Sequence, residues 1–265
     1  MSSQGSNVNG GGSPLIPSWV GSLIILVVFL GVWEGYVQLF NVSKLVLPPP
    51  SEVVVAWFGF LGSKSVWFHT GVTAWETFLG FVFASIFGVG LGFLLGKMPR
   101  LERMLNPFVI ATQVIPKVAL VPLFVVWFGF GITSKVVIAS ILAFFPILLN
   151  TVLGIKSVDT GHEEVMKSLN ATRWQRLTQL DFPSSLPYIL TGMEVGVVLS
   201  IIGAVVGEYL GGNSGLGNLA VKEMNSYNTT ALFAVIMHLS ILGFAFYAVV
   251  VGLRKYLISW HGSSN

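Results

Sequence analysis

Glu163-Glu164-Val165-Met166-Lys167-Ser168-Leu169-Asn170-Ala171-Thr172-Arg173-Trp174, running on to Asp181-Phe182-Pro183-Ser184-Ser185-Leu186-Pro187, is the longest polar run between the hydrophobic blocks of this chain. Thr160 stands three residues before Glu163, and Thr172 three before Gln175. Both spacings fit a capping box, in which two side chains satisfy free N–H groups at a helix start. Asn170 lies between the two expected helices, and asparagine tolerates the left-handed conformation that ends a helix. The stretch therefore reads as a short helix, a sharp turn and a second helix that stops before Pro183. The first places Val165, Met166 and Leu169 on one face, and the second Trp174, Leu177 and Leu180. Exposed apolar faces on a polar loop call for a partner to cover them.

The blocks on either side are membrane-like. Of 265 residues, 54% are hydrophobic and 9% charged, against about 25% charged in a soluble domain. There is no cysteine, which excludes disulfides and thiol chemistry. A span needs about 20 mostly apolar residues. Six blocks qualify: Trp19–Phe40, Thr73–Gly96, Asn106–Phe128, Lys135–Gly154, Tyr188–Leu210 and Leu232–Leu253. The fold class expected is an all-α integral membrane protein. Residues 1–18, rich in Ser, Gly and Asn, read as a flexible, uncleaved tail. Residues 19–68 hold the first span and an external amphipathic segment, where the apolar run Val53–Leu61 after Pro48-Pro49-Pro50 reads as a surface helix. Residues 69–256 form the main membrane domain with its cytoplasmic loop at 156–187, and 257–265 a second tail.

Charge sets the orientation. With the N-terminus inside, six spans place Lys97, Arg100, Arg103, Lys156, Lys167, Arg173, Arg176, Arg254 and Lys255 in the cytoplasm, including every arginine. The positive-inside rule selects this arrangement. Lys44, Lys64 and Lys222 lie outside, Lys135 at an outer boundary and Lys117 within a span. Glycines in the second block (Gly80, Gly88, Gly90, Gly92, Gly96) and the fifth (Gly192, Gly196) suit close helix packing.

No G-x-x-x-x-G-K-[ST] loop is present, the four histidines lack metal-ligand spacing, and no nucleophile is clustered with a base. No catalytic residue, metal or cofactor is expected, and nothing calls for nucleic acid. Ionisable groups within spans point to function by default: Glu34, Glu76, Glu194, Glu208 and Lys117. Glu76 and Glu208 stand where a carboxylate either reaches water or serves the path. Lys117 follows Pro116, which breaks the helix where protein or water must take up the freed backbone groups. His238, the one histidine inside a span, suits a packed or cavity-lining role. Glu76, Lys117, Glu194, Glu208 and His238 are the candidates for a translocation path.

Glu164 to Ala171 with Phe182-Pro183 and Leu186-Pro187 resembles the EAA loop of ABC-importer permeases. Val165 and Met166 replace its two alanines, Asn170 its glycine and Phe182 its first leucine. Leu47-Pro48-Pro49-Pro50-Ser51-Glu52-Val53, Pro116-Lys117-Val118-Ala119-Leu120-Val121-Pro122-Leu123 and Val206-Gly207-Glu208-Tyr209-Leu210, with Gly215-Leu216-Gly217, resemble the nitrate/sulfonate/taurine branch. The likeness covers residues 45–260. It implies a type I importer permease of the bacterial-type inner membrane. Its implied partners are a second permease copy, separate ABC ATPase subunits, an extracytoplasmic substrate-binding protein and the surrounding lipid. Glu163, Glu164, Asn170, Ala171, Trp174, Pro183 and Pro187 would then couple to the ATPase. Related permeases often carry arginine near position 76, so Glu76 tilts the expectation away from small inorganic anions. The alternative is an ion-coupled secondary transporter. Such carriers often show two related halves; none is visible here.

Overall fold

The structure, a computed structural model, describes residues 17–258. Most of the two expected tails, and His261, lie outside the described residues. Among the described residues eleven α-helices follow one another: α1 (Ser18–Leu39), α2 (Pro50–Leu61), α3 (Lys64–Lys97), α4 (Pro99–Val114), α5 (Val121–Phe128), α6 (Ile132–Lys156), α7 (Thr160–Ser168), α8 (Arg173–Arg176), α9 (Phe182–Gly211), α10 (Leu216–Asn225) and α11 (Thr229–Leu257). Among the described residues, five segments are long and apolar enough to cross a membrane, or six if one bent pair counts as a single span.

The core is α3, α6 and α9, and small residues decide how they meet. Gly80, Ala84, Gly88, Gly92 and Gly96 recur every fourth position on α3. They face Ala139, Ala143, Ile147, Thr151 and Ile155, with the same spacing, on α6. The paired numbers rise together, so the two helices run parallel, and the shared step of four lets matching ridges interlock along them. A Cβ at Gly80 would lie 2.4 Å from that of Ala139. From α9, running the opposite way, Gly203 reaches the backbone of the same Ala139, at 2.6 Å for its added Cβ. Gly90 meets nothing within 4 Å, because it lies two residues off the repeat. The packing role expected for it is not observed.

Three boundaries differ from the sequence reading. The second span begins at Lys64, not Thr73, so the division expected between residues 68 and 69 falls inside α3. Ser65, His69 and Thr70 lower the local hydropathy, yet His69 accepts from the Gly215 N–H of the turn before α10 and Thr70 meets His238 of α11. The expected third span is no straight helix: Pro99–Val114 and Lys117–Phe128 meet at 80°. Pro116 is the cause, since it lacks an N–H and pushes Ile115 into an extended conformation with ψ 125°. The helix expected to end before Pro183 continues. Leu177–Asp181 form a wide π-type turn leading directly into α9. That turn loosens the backbone where Pro183 would otherwise clash with the carbonyl four residues back.

The surface helix expected over 53–61 is present as α2, packed on α11. Its N-cap, Pro49, offers no side-chain bond. Glu34 of α1 caps it instead, accepting from the Ser51 N–H at 3.0 Å and the Ser51 hydroxyl at 2.9 Å. Glu34 is thus a helix cap supplied from another helix.

Candidate functional site

At the α7–α8 end of the molecule a tight helical hairpin is built from local chemistry. The Asp159 side chain caps α7 by accepting from the Gly161 N–H at 2.6 Å. The box expected at Thr160 and Glu163 is not formed, because Asp159 takes the cap and Glu163 turns to Arg176. The box at Thr172 and Gln175 is complete. Asn170 adopts the left-handed conformation, with φ 51°. Behind it the Asn170 N–H donates to Lys167 O at 2.9 Å and the Ala171 N–H to Met166 O at 3.0 Å, closing the helix end.

The apolar faces are divided. Leu180 is buried, Met166 and Leu177 half-buried, and Val165, Leu169 and Trp174 stay exposed, the last two at 71%. Glu164 is exposed near the start of α7, where a carboxylate favours the free N–H groups. Pro183 sits in the first turn of α9 and Pro187 one turn further in. A chain of charges ties the hairpin to the core. Glu163 pairs with Arg176, whose Nε lies 3.8 Å from Asp181. Buried Asp181 pairs in turn with Lys97 at the end of α3, at 2.6 Å. Lys156 and Glu102, 2.6 Å apart, join α6 to α4. The sequence reading placed Asp181 and Lys97 in the cytoplasmic segments but gave neither a site role. Their partnership spans 84 residues, and no local pattern announces it.

At the opposite end lies a buried polar cluster. Glu76 and Glu208 are 1% and 0% exposed, so both serve the helix junction and neither walls an open passage in this conformation. Glu208 accepts from the Thr73 hydroxyl at 2.7 Å and the Gly217 N–H at 2.6 Å. Thr73 Oγ1 itself accepts from the Leu216 N–H at 2.8 Å. Glu76 accepts from Lys135 Nζ at 3.0 Å. Lys135, expected at an outer boundary, is 2% exposed. The Gly215 N–H donates to His69 Nδ1 at 3.0 Å. Gly215 has φ 101°, and a Cβ there would fall 2.0 Å from a Glu208 oxygen. The Gly215-Leu216-Gly217 turn is therefore shaped around one carboxylate. Because Lys135 balances Glu76 inside the subunit, Glu76 says nothing about the sign of a solute.

The other three candidates lie apart. His238 accepts from the Trp57 N–H through Nδ1 at 3.2 Å, and its Nε2 lies 3.0 Å from the Thr70 hydroxyl. It pins α2 and α3 to α11. Arg254 donates through Nη1 to both carboxylate oxygens of Glu194, at 3.1 and 3.2 Å, joining α9 to α11. Lys117 does not meet it. It opens the 3-10 turn Lys117–Leu120 between α4 and α5, with its ammonium 4.8 Å from the Phe145 ring centre.

Comparison with known proteins matches residues 84–259 to the family described as "Binding-protein-dependent transport system inner membrane component". The chain is 36% identical over 238 residues to the formylaminopyrimidine transport permease protein ThiX of Halalkalibacterium halodurans, covering 89% of this chain and 94% of that one. It is 34% identical to the riboflavin transport system permease protein RibX of Chloroflexus aurantiacus, covering 91% of this chain and 89% of the other. Among solved structures, an inward-facing conformation of the MetNI methionine ABC transporter superposes with TM-score 0.65 at 20% identity, over 74% of this chain and 99% of that one. At that identity the likeness concerns the fold.

Proposed function

This chain belongs to the binding-protein-dependent transport system inner membrane components, and from that premise we propose that the α7–α8 hairpin is where a separate ATPase drives it. The chain is the membrane-spanning permease subunit of an ABC importer, with relatives of the nitrate, sulfonate and taurine type. The observation that carries the coupling role is the hairpin's outer face. Val165, Leu169 and Trp174 are exposed beside the turn at Asn170 and Ala171. Apolar side chains on a short, charge-tied hairpin suit a groove on a partner.

In this reading two permease copies face one another across the solute path, and an external binding protein delivers the solute. Closure of the paired ATPases pushes on α7 and α8. Arg176 and Asp181 pass the push to Lys97 on α3, and the π-type turn passes it to α9. The path then switches from inward-facing to outward-facing as the two states exchange population. Lys117 is retained as a path residue. Glu194 and His238 are assigned to holding the helices that frame it.

Co-purification tests the partner: the permease expressed with its neighbouring ATPase should be recovered as a complex containing both. Recovery of the permease alone under gentle extraction would remove the coupling role. Orientation is checked separately. The chain has no native cysteine, so cysteines placed at Ser63 and Ser168 report without background. With the N-terminus cytoplasmic, an impermeant thiol reagent labels Ser63→Cys from outside and Ser168→Cys only after the membrane is opened. Labelling of both from one side contradicts this topology.

A further inference from the structure

The wide turn between the hairpin and α9 brings together two charges that an ordinary helix keeps apart. Arg176 and Asp181 stand five residues apart, a step that turns side chains about 140° from one another in an α-helix. Here the Phe182 N–H bonds to Leu177 O, five residues back, so the turn holds an extra residue. Residues five apart then share one face, and Arg176 Nε comes to 3.8 Å from Asp181 Oδ1. Both atoms are buried, and neither has a hydrogen-bond partner among the described residues. Lys97 meets the same oxygen as an ion pair, off the line of a hydrogen bond. A gap of 3.8 Å is no hydrogen bond, but it is only about 1 Å longer than one.

The two sides of the gap are held by different parts of the molecule. Asp181 is fixed to α3: it pairs with Lys97 at 2.6 Å, and the next residue, Phe182, stacks on Phe93 with ring centres 5.9 Å apart. Arg176 belongs to the hairpin: it ends α8, and its Nη2 donates to Glu163 of α7. Along the row Glu163, Arg176, Asp181 and Lys97 the outer two contacts are made and the middle one is open. Movement of the hairpin against α3 therefore falls on that gap.

We propose that Arg176 and Asp181 form a state-dependent latch, whose Nε–H···Oδ1 bond closes when the hairpin is pressed toward α3 and opens when it is released. This rests on the coupling reading and adds the regulation of that same site to it. With the bond open, the π-type turn flexes and takes up part of the push. With it closed, hairpin, turn and α3 move as one piece. The closed bond joins a guanidinium to a carboxylate away from water, where such hydrogen bonds are strongest. Both are positioning residues, acting through the helices they join.

The sequence makes the gap measurable without any substitution. The chain has two aspartates, Asp159 and Asp181, and five arginines. Asp159 has no arginine within ion-pair distance among the described residues. With permease carrying 13C-aspartate and 15N-arginine, in vesicles with unlabelled ATPase and binding protein, the Cγ–Nε dipolar coupling in solid-state NMR reports this pair. The distance should shorten by about 1 Å, to that of a hydrogen-bonded pair, between the nucleotide-free complex and the complex trapped with ATP and vanadate. Arg176→Lys keeps the charge but has no N–H at the Nε position. Solute carried per ATP hydrolysed should fall about tenfold in that variant, the shift that loss of one charge-assisted hydrogen bond makes in a two-state equilibrium. Where Arg176→Lys fails to assemble, the distance in the parent protein decides alone. An equal distance in the two states, or full transport per ATP in Arg176→Lys, overturns the latch. The coupling reading fails on a different readout, the absence of an ATPase complex, whereas the latch fails inside an intact one.

Discussion

Asn170→Val reduces solute-stimulated ATP hydrolysis to the unstimulated rate in vesicles containing permease, ATPase and loaded binding protein, and transport stops. Asn170 holds φ 51°, and the two hydrogen bonds closing α7 depend on it. A β-branched residue resists that conformation, at a cost of about 1–3 kcal/mol. The hairpin responds by opening, since its turn is exposed and little tertiary packing opposes the change. Val165, Leu169 and Trp174 then no longer form one presented surface. The spans are untouched, so insertion and yield should match the parent. Ala171→Trp should reach the same end by another route, placing a bulky ring beside the docking face. Asn170→Gly should be nearly silent, because glycine takes the left-handed turn without steric cost. Normal stimulation in both Asn170→Val and Ala171→Trp would mean that the hairpin is only a linker.

Lys135→Met should lower the thermal midpoint of the purified permease by roughly 10 °C. Removing one partner of a buried pair leaves the other charge uncompensated, at about 3–5 kcal/mol, and each kcal/mol shifts the midpoint by about 2–4 °C at this size. Among the described residues Lys135 is the only cation within ion-pair distance of Glu76, and both side chains are at most 2% exposed. Adding Glu76→Gln should recover at least half of the loss, because the pair is then removed together. Glu208 stays satisfied in the double variant through Thr73 and the Gly217 N–H. An unchanged midpoint in Lys135→Met would show that water reaches Glu76 and that the junction is not sealed.

Both effects bear on how much of this protein was legible beforehand. The left-handed turn at Asn170 and the capping box at Thr172 were readable because a few consecutive residues settle them. The all-α fold and the surface helix over 53–61 were readable for the same reason, through local hydropathy and proline placement. The role of Glu76 was misread. It lies 59 residues from Lys135 in sequence, and one side chain's neighbour across a helix junction leaves no local trace. The parallel match of α3 and α6 was half legible. The glycines were noted, but their step of four became a packing face only beside the same step on α6.

By itself the sequence determined the membrane character, the order of the apolar blocks, the hairpin turn and the family resemblance. Each follows from hydropathy, charge bias or backbone preference over short windows. Only the tertiary structure decided that Glu76 and Glu208 close a helix junction, that Glu163 leaves its expected cap for Arg176, and that Pro183 is carried inside a continuing helix by a π-type turn. It alone left Lys117 without a counter-charge. Those outcomes depend on which distant side chains burial brings within 3–4 Å. Desolvation makes every unpaired charge costly, so the packed helices choose the partners.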